Sequence, residues 1–329
     1  LREMEATSEM CKLVHMYYFG HVVNAGKGSP SGGIYFDFSR FTDEQIDEMF
    51  EAVMDHFDGF YKHGYYHGES IIDFRDLAKK KRRVEVGLTS EYSVGGIFVD
   101  ENMFTGVPGL YAAGEAASGV FGANRVADAV TEMLVQGYKA GEVAAARASE
   151  QTRVASDDAA IERAVGVLEK LLSNQGGIAV SEAIDRLGEI SDNALGMVRN
   201  ETTLRAGVEA FETLGAEMDG ISLRGKSLRY NRELMQALAA RNLLACSRVA
   251  AKMALERRES RGLHLRDDYS YIDNENWQVR QLAELVNGED KLSKKVPVVT
   301  RIPLRKAEKI DYESFILEED LGMKNMEES

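Results

Sequence analysis

The sequence is poor in cysteine, tryptophan and proline: its 329 residues include two Cys, one Trp and four Pro. Cys11 and Cys246 are too few for a cysteine-ligated metal cluster and show no Cys-x-x-Cys spacing. Each is predicted to be a buried thiol in a reducing compartment. No segment approaches the roughly 20 consecutive apolar residues of a membrane-spanning helix. The charged first residues lack the apolar core of a signal peptide, and without an initiating Met they do not report targeting.

Positive charge is also scarce: the sequence contains 40 Lys and Arg residues and 54 Asp and Glu residues, which gives a net charge of −14. This balance disfavours nucleic acid or an anionic membrane surface as a direct partner. The one basic run, Lys79–Arg83, is predicted to be a solvated loop, with an anion-binding or partner-binding surface as the alternative. The length and the 44% hydrophobic content are those of an ordinary globular protein of two or three domains.

Histidine is rare as well, and its placement does not predict a metal site. Of the six histidines, His56, His63 and His67 lie closest together. Gly59 and Gly64 interrupt that stretch, so a common helical face is not expected. We therefore predict no metal ligands.

A dinucleotide-binding fingerprint, Gly-x-Gly-x-x-Gly directly after an apolar strand, is missing. The nearest approach in composition is Gly26-Lys-Gly28 with Gly32-Gly33, but Pro30 intervenes and no apolar strand comes before it. A surface turn before a strand over 34–38 is the preferred interpretation, and a phosphate cradle is the alternative.

Residues 107–141 carry most of the functional information. They begin Val-Pro-Gly-Leu-Tyr-Ala-Ala-Gly-Glu and continue through Gly-Ala-Asn-Arg to a Gly-Tyr-Lys-Ala-Gly turn. The pattern predicts a short buried strand (Gly109 to Ala113), a glycine-rich loop and a helix from about Asp128. A strand that runs through a glycine loop into a helix can offer backbone N–H groups and a positive helix end to an anionic ligand.

This segment closely resembles the second flavin-contacting segment of the succinate dehydrogenase and fumarate reductase flavoprotein family. Leu88–Asp100 is similar to that family's Thr-x-His-Tyr-x-Met-Gly-Gly-Ile strand-turn-strand. Further similar segments follow in the family's order: Ala194–Asn200, Leu204–Val208, Glu233–Leu244, Glu259–Asp267 and Asp273–Trp277. The resemblance implies that the chain is the C-terminal portion of such a flavoprotein, without its N-terminal Rossmann half.

The implied fold class is α/β plus α: a partial FAD-binding α/β domain with an α+β capping domain, then a helical bundle and a small C-terminal β segment. The predicted divisions are a capping domain, the C-terminal part of the FAD-binding domain entered by a β-hairpin, a helical bundle, and a strand pair with an acidic tail. In order they cover 1–87, 88–141, 142–286 and 287–329.

Local signals place several helices. The capping-box pattern Thr42-Asp-Glu-Gln45 predicts a helix that runs to about Tyr61. Between residues 142 and 286 the chain is almost continuously helix-forming, so three or more packed helices are expected. Breaks between them are predicted near Gln175–Gly177, Asp192–Asn193, Asp219–Gly220 and Gly225.

The resemblance assigns the flavin contacts. Glu115, after Gly114, matches the acid that accepts hydrogen bonds from ribityl and ribose hydroxyls; a cap or loop carboxylate is the alternative. Ala129 and Val130 would contact the flavin ring through their backbone. Asn124 is grouped with the cofactor residues, although support of the loop is its more expected task.

The substrate residues depart from the family. Arg125, in Gly-Ala-Asn-Arg, matches the arginine that grips a substrate carboxylate, with a structural salt bridge as the alternative. Glu91 stands where the family has a substrate-binding histidine, and a carboxylate there would repel a dicarboxylate unless it were protonated. Tyr92 beside it is assigned to the substrate-binding group.

Two further site residues are predicted less directly. Alignment of Gly26-Lys-Gly28 on the family's Gly-Arg-Gly puts Lys12 and Tyr17 at arginine positions, where Tyr17 could donate a proton through its phenol. A core or interface tyrosine is the alternative. His264, in the Glu-Ser-Arg-Gly-x-His turn with Arg261, is assigned to the substrate-binding group and interpreted mainly as an interdomain hydrogen-bonding residue.

The sequence thus predicts part of an FAD-dependent oxidoreductase that moves a hydride between FAD and a carbon–carbon bond of a small carboxylate-bearing substrate other than fumarate. The chain alone is expected to be inactive. The alternatives are a non-catalytic assembly module and a relative of aspartate oxidase or adenylylsulfate reductase. Expected partners are an N-terminal FAD-binding half or partner chain and an iron–sulfur electron-transfer subunit. The expected location is the cytoplasm, peripheral to a membrane complex.

Overall fold

The computed structural model describes residues 19–56, 74–87, 93–118, 130–150 and 157–296, except for the side chains of 52–56 and 74. The chain divides into two compact units, Tyr18–Ser90 and, with the first residues, Glu91–Ser329. Among the described helices, none has the length and apolar character needed to cross a bilayer. Six predicted site residues lie outside the described ranges: Tyr17, Glu91, Tyr92, Asn124, Arg125 and Ala129.

The described part of the first unit contains a short helical stretch at residues 19–24, a strand pair and two further helices. Strands β1 (Ile34–Asp37) and β2 (Arg83–Val86) pair antiparallel. Helices α1 (Asp43–His56) and α2 (Phe74–Lys81) lie between them in sequence. A small core forms around Phe38, Ile46, Ala78 and Val84.

The predicted capping box at the start of α1 is confirmed. The Thr42 N–H donates to Gln45 Oε1 over 3.0 Å, and the Gln45 N–H donates to Thr42 Oγ1 over 3.2 Å. Two backbone donors that the helix itself cannot satisfy are therefore paired.

The basic run Lys79–Arg83 is not the predicted loop. It forms the last turn of α2 and the start of β2. Lys79 Nζ lies 2.5 Å from Asp47, and Arg82 pairs with Asp43, both of which are on α1. The prediction was wrong because acidic side chains from a neighbouring helix balance the run and allow it to fold into regular elements.

The second unit begins with an irregular segment, residues 93–118, followed by helix α3 (Val130–Glu150). The predicted strand from Gly109 to Ala113 and the predicted β-hairpin are absent from this described segment. Only isolated bridges form, from Ile97 to Ala117 and from Phe104 to Tyr111, and Gly109 has a left-handed φ of +82°. These residues provide no continuous neighbouring strand, so a regular ladder cannot form.

Four helices follow: α4 (Asp158–Ser173), α5 (Val180–Leu195), α6 (Glu201–Met218) and α7 (Arg232–Glu256). The last three pack on one another and bury side chains of Leu187, Phe211, Leu214, Leu234 and Ala251. The predicted breaks near Gln175 and Asp219 agree with the helix ends. The one predicted at Gly225 also lies between two helices. The one near Asp192–Asn193 lies slightly later than predicted, because the Asn193 side chain donates to the Glu189 carbonyl and α5 continues to Leu195.

Cys246 was predicted to be buried and is exposed instead. It lies on α7 two residues after the buried Leu244, and a shift of two positions on a helix turns a side chain away from its buried face.

The unit ends in short elements: β3 (Val198–Arg199) pairs parallel with β4 (Leu265–Arg266), and a short helix, α8 (Asn274–Trp277), precedes a hairpin. The hairpin joins β5 (Arg280–Val286) and β6 (Glu289–Lys295).

The hairpin turn consists of Asn287 and Gly288, both with positive φ, +53° and +85°. This hairpin starts before the strand pair predicted for 287–329, and residues after 296 lie outside the described ranges, so that prediction stays a prediction. The division proposed after residue 286 falls within the hairpin turn. The division proposed after residue 141 falls inside α3.

Candidate functional site

The glycine loop is fixed to helix α3 by one buried amide. The Gly114 N–H donates to Gln136 Oε1 over 2.7 Å, and Gln136 Nε2 donates to Glu132 Oε1 over 3.0 Å. Both Gln136 and Glu132 are buried. Gly114 has a φ of +70°, and a Cβ there would lie 3.3 Å from Met133 Cγ. Glycine therefore satisfies both the backbone conformation and the close contact with the helix.

The neighbouring glycines Gly95 and Gly96 bring another segment against this loop. Gly96 has a φ of +147°, and a Cβ on it would lie 2.6 Å from the carbonyl oxygen of Ala116. Backbone hydrogen bonds hold the two segments together, from Ile97 N–H to Ala116 and from Ser118 N–H to Ile97, both 2.8 Å long. Among the described residues, a Cβ on Gly95 would meet no atom within 4 Å, so they leave one side of this turn open.

Glu115 lies at the edge of the same loop. Its side chain is exposed, and its Oε1 accepts a hydrogen bond of 2.7 Å from the Ser93 N–H. Among the described residues, none donates to its Oε2. A carboxylate fixed through one oxygen can accept hydroxyl donors at the other. Gly114 and Glu115 are thus brought together with the Gly95–Gly96 turn.

The groups that face this surface suit a ligand that carries hydroxyl groups. Glu115 provides an acceptor, and the open side of Gly95 allows a ligand to approach the backbone. Val130, a predicted backbone contact, lies in the first turn of α3 and is 53% exposed. Predicted substrate contacts at Arg125, Glu91 and Tyr92 lie outside the described residues and stay predictions.

His264 lies in a cationic cluster elsewhere in this unit. Its Nδ1 is 3.1 Å from Arg199 Nη1, and its Nε2 is 3.4 Å from the Arg257 carbonyl oxygen. A guanidinium only donates, so Nδ1 accepts and Nε2 carries the proton. Burial, together with the positive charge of Arg199, lowers the pKa of His264 to about 3. The ring is therefore neutral at physiological pH.

Arg199 itself is held by carbonyl groups. Its Nε and Nη2 donate to the carbonyls of Gly196 and Leu195 over 3.0 and 3.2 Å. Burial and the neighbouring Arg266 lower its pKa to about 10. These contacts give His264 and Arg199 a positioning task at the end of α5. The substrate-binding assignment of His264 stays a prediction.

Sequence reasoning missed Glu259, the acid that organises the cluster. Its side chain is fully buried, with 0% exposure. It accepts hydrogen bonds from Arg257 at 2.5 Å, from Arg261 at 2.9 and 3.0 Å, and from the Asp273 N–H at 2.9 Å. The dense alternation of charges in Glu-Ser-Arg-Gly-x-His-x-Arg was the available signal, because a run of paired charges in a turn indicates a buried network.

Arg266 completes the cluster and was also missed. It is 2% exposed and forms two hydrogen bonds of 2.6 Å with the Asp268 carboxylate. Its Nη1 also donates to the Ala254 carbonyl over 2.8 Å, near the C-terminal end of α7. A guanidinium at this end satisfies carbonyls that the helix leaves unpaired.

The described part of the second unit thus combines an irregular glycine loop fixed on α3 with a helical bundle. A family model described as "FAD binding domain" matches residues 17–128, and one described as "Fumarate reductase flavoprotein C-term" matches residues 184–312. The chain belongs to the succinate dehydrogenase and fumarate reductase flavoprotein family, as its motifs predicted. The predicted mixed fold class is confirmed as well.

Individual relatives agree with this family. The fumarate reductase flavoprotein subunit of Haemophilus influenzae is 34% identical over 196 residues, which are 58% of this chain and 33% of that protein. One subunit of the fumarate reductase (CoM/CoB) of Methanothermobacter marburgensis is 29% identical, over 74% of this chain and 42% of that one. The chain thus spans less than half the length of either relative.

A solved structure shows the same fold. The apo form of the Mycobacterium smegmatis Sdh1 complex contains a chain that matches with a TM-score of 0.72 and 28% identity. The match covers 92% of this chain and 49% of that one. The chain therefore corresponds to about half of a flavoprotein of this type.

Proposed function

We propose that this chain is part of an FAD-dependent oxidoreductase that moves a hydride between the flavin and a carbon–carbon bond of a small carboxylate-bearing substrate. One observation carries the proposal: Glu115 and the open side of Gly95 meet at the loop that Gln136 fixes, within the region that the FAD-binding family model matches. FAD, when bound, supplies the redox chemistry. The chain's own residues bind and orient the ligands.

Glu115 would hold the hydroxyl groups of the cofactor. Because Ser93 already fixes Oε1, the carboxylate needs little reorganisation to accept a hydroxyl at Oε2. The residues directly before Ser93 are Glu91 and Tyr92, so the contact also positions the backbone beside the predicted substrate residues.

Arg125 would bind the substrate carboxylate through its guanidinium, which stays protonated and matches a carboxylate with two hydrogen bonds. Glu91 opposes a second carboxylate on the substrate by like-charge repulsion. This argues for a substrate with one carboxylate, or with a cationic group, rather than fumarate. Fumarate turnover at the rate of a true fumarate reductase would contradict this part of the proposal.

The cofactor is tested by titration with FAD, followed by visible absorption and flavin fluorescence. The chain is titrated alone and with the N-terminal part of the Haemophilus influenzae relative, because it spans only part of a flavoprotein. We expect Glu115→Gln to weaken binding by about 10- to 150-fold, since loss of a charged acceptor costs roughly 1.5–3 kcal/mol. Glu101→Gln, an exposed change in the same segment, is the matched control and should have no effect.

The second candidate function is a non-catalytic assembly module, which the replacement of the family's histidine by Glu91 favours. Absence of flavin binding in both titrations would support the module and contradict the oxidoreductase. We also propose, from the family resemblance, that the assembled protein works with an iron–sulfur electron-transfer subunit, peripherally at a membrane complex and in the cytoplasm; the relatives' names, which describe a subunit and a complex, support an assembly of several chains. Native mass spectrometry of the purified assembly tests for that subunit.

A further inference from the structure

The loop between α6 and α7 is strongly basic. Residues 224–232, which we call the basic loop, read Arg-Gly-Lys-Ser-Leu-Arg-Tyr-Asn-Arg and contain no acid, although the net charge of the chain is −14. All of its cationic residues are exposed. Arg224 pairs with Glu233 of α7 over 3.4 Å, whereas among the described acids none pairs with Arg229 or Arg232. Such a surface attracts an acidic counterpart.

Hydrogen bonds hold the basic loop in one conformation. The Asn231 side chain donates to the carbonyls of Gly225 and Ser227, both over 2.9 Å. Glu233 accepts from the N–H groups of Arg224 and Gly225 over 2.7 and 3.3 Å. A surface that is already ordered loses little conformational entropy when a partner binds. The loop is therefore preorganised for contact.

Two apolar side chains project from the basic loop. Leu228 is 66% exposed, and Tyr230 is fully exposed and has a left-handed φ of +55°. That backbone conformation is strained for an aromatic residue, and an exposed side chain gains no packing in return. Tyrosine and arginine contribute most to the energy of protein–protein contacts, whereas the negative net charge of the chain repels nucleic acid and anionic lipid. The loop thus fits an acidic protein surface.

An acidic surface of this kind lies on helix α5 of the same chain. Four exposed acids follow the spacing of one outward helical face, and we call them the α5 acidic face: Glu182, Asp185, Glu189 and Asp192. Like charges three or four residues apart destabilise a helix, so this face is more stable against a cationic surface. Ile184 and Gly188 on its flank are exposed as well, which leaves room for an apolar side chain.

We propose that the basic loop of one copy of this chain docks on the α5 acidic face of a second copy, with the reciprocal contact formed at the same time. Ser222, just before the loop, donates its N–H to the Ile178 carbonyl over 3.1 Å, so the loop starts beside the first turn of α5. Two complementary patches that are neighbours on one molecule can meet around a two-fold axis and form a closed dimer. The inference is independent of the proposed function.

Sedimentation velocity of the intact chain at several protein concentrations tests for this dimer. We expect a reversible dimer whose dissociation constant rises at least about tenfold between about 50 mM and about 500 mM NaCl, because salt screens exposed charges. Tyr230→Ala should raise the dissociation constant at least about tenfold at both salt concentrations, since the loss of an apolar contact is not screened. A monomer at every concentration, or a dimer that salt does not weaken, would overturn the proposal.

Charge reversal on either side locates the contact. The loop variant Arg229→Glu/Arg232→Glu and the α5 variant Asp185→Arg/Glu189→Arg should each raise the dissociation constant at least about tenfold, because attraction becomes repulsion. The chain with all four substitutions exchanges the two charges and should return to within about threefold of the wild type. Failure of that recovery would overturn the assignment of the two surfaces.

The matched control is Arg258→Glu/Lys291→Glu, which reverses two exposed cations elsewhere and has the same net charge as the loop variant. It should leave the dissociation constant within about threefold of the wild type. A loss equal to that of the loop variant would contradict the proposal, because net charge alone would then govern association. All positions reversed in charge are exposed, so circular dichroism should show the same helix content in every one of these variants.

Discussion

Gln136 accepts a hydrogen bond of 2.7 Å from the backbone N–H of Gly114, across 22 residues of sequence. This contact joins the loop that carries Glu115 to helix α3. Both groups are buried, so water does not compete for this hydrogen bond. The bond therefore fixes the position of the loop relative to the helix.

Replacement of Gln136 by Met should destabilise the second unit by about 1–3 kcal/mol, because the buried Gly114 N–H loses its acceptor. Urea unfolding followed by circular dichroism measures the change. Gln175→Met, at an exposed position, is the control and should stay within about 0.5 kcal/mol of the wild type. Equal stability of the Gln136 variant and the control would show that the amide does not hold the loop.

Gly114→Ala should lower the free energy of unfolding by about 1–2 kcal/mol, because alanine is strained at the left-handed φ of +70° and its Cβ crowds Met133. Gly188→Ala, in the middle of α5 with no atom within 4 Å of its Cβ, should instead stabilise by up to about 1 kcal/mol. Thermal unfolding compares the two. The same sign for both substitutions would contradict this account.

Glu259→Gln should destabilise the bundle by about 3–5 kcal/mol, because the fully buried charge that pairs with the partly buried guanidinium groups of Arg257 and Arg261 is removed. Glu217 forms a similar two-bond contact with Arg186, but both side chains are more than a third exposed. Glu217→Gln should therefore cost only about 0–1 kcal/mol. Chemical denaturation tests the difference, and similar losses for the two variants would rule out a special task for Glu259.

His264 should make stability depend on pH. Its pKa is about 3 in the folded chain, below the roughly 6.5 of an unfolded histidine. Its contribution is thus complete above about pH 6.5 and is lost as the pH falls toward 3, because the unfolded chain takes up the proton first. His264→Gln should flatten the stability profile by up to about 1 kcal/mol per pH unit in that window.

The window from pH 6.5 to 5 is the most informative for this comparison, since most carboxylates are still ionised there. Denaturant midpoints measured every half unit in wild type and variant provide the profile. Parallel profiles for the two proteins would show that His264 is protonated in the folded chain.

Local patterns predicted what depends on local contacts. Thr42 and Gln45 are three residues apart, so their capping box could be found in the sequence. The turn at Asn287–Gly288 carries an equally local signal, since Asn-Gly favours two positive φ angles. The family could be recognised from the glycine and arginine motif. The backbone conformation of such a loop restricts which residue types can occupy its positions.

Contacts between distant segments escaped prediction. The strand expected at Gly109–Ala113 did not form, because a strand needs a neighbour that the described residues do not supply. The buried pair of Glu132 and Gln136 could not be recognised from helical spacing, which assigns polar residues to the exposed side.

By itself, the sequence determined the family, the helix-forming segments and the glycines at the cofactor loop, since these depend on backbone preference and short-range spacing. Only the tertiary structure decided that Gln136 bonds to Gly114, that Glu259 pairs with two arginines, and which residues of α3 are exposed to solvent. The physical reason is that burial and hydrogen-bond pairing depend on segments far apart in the chain, whose approach no local pattern encodes.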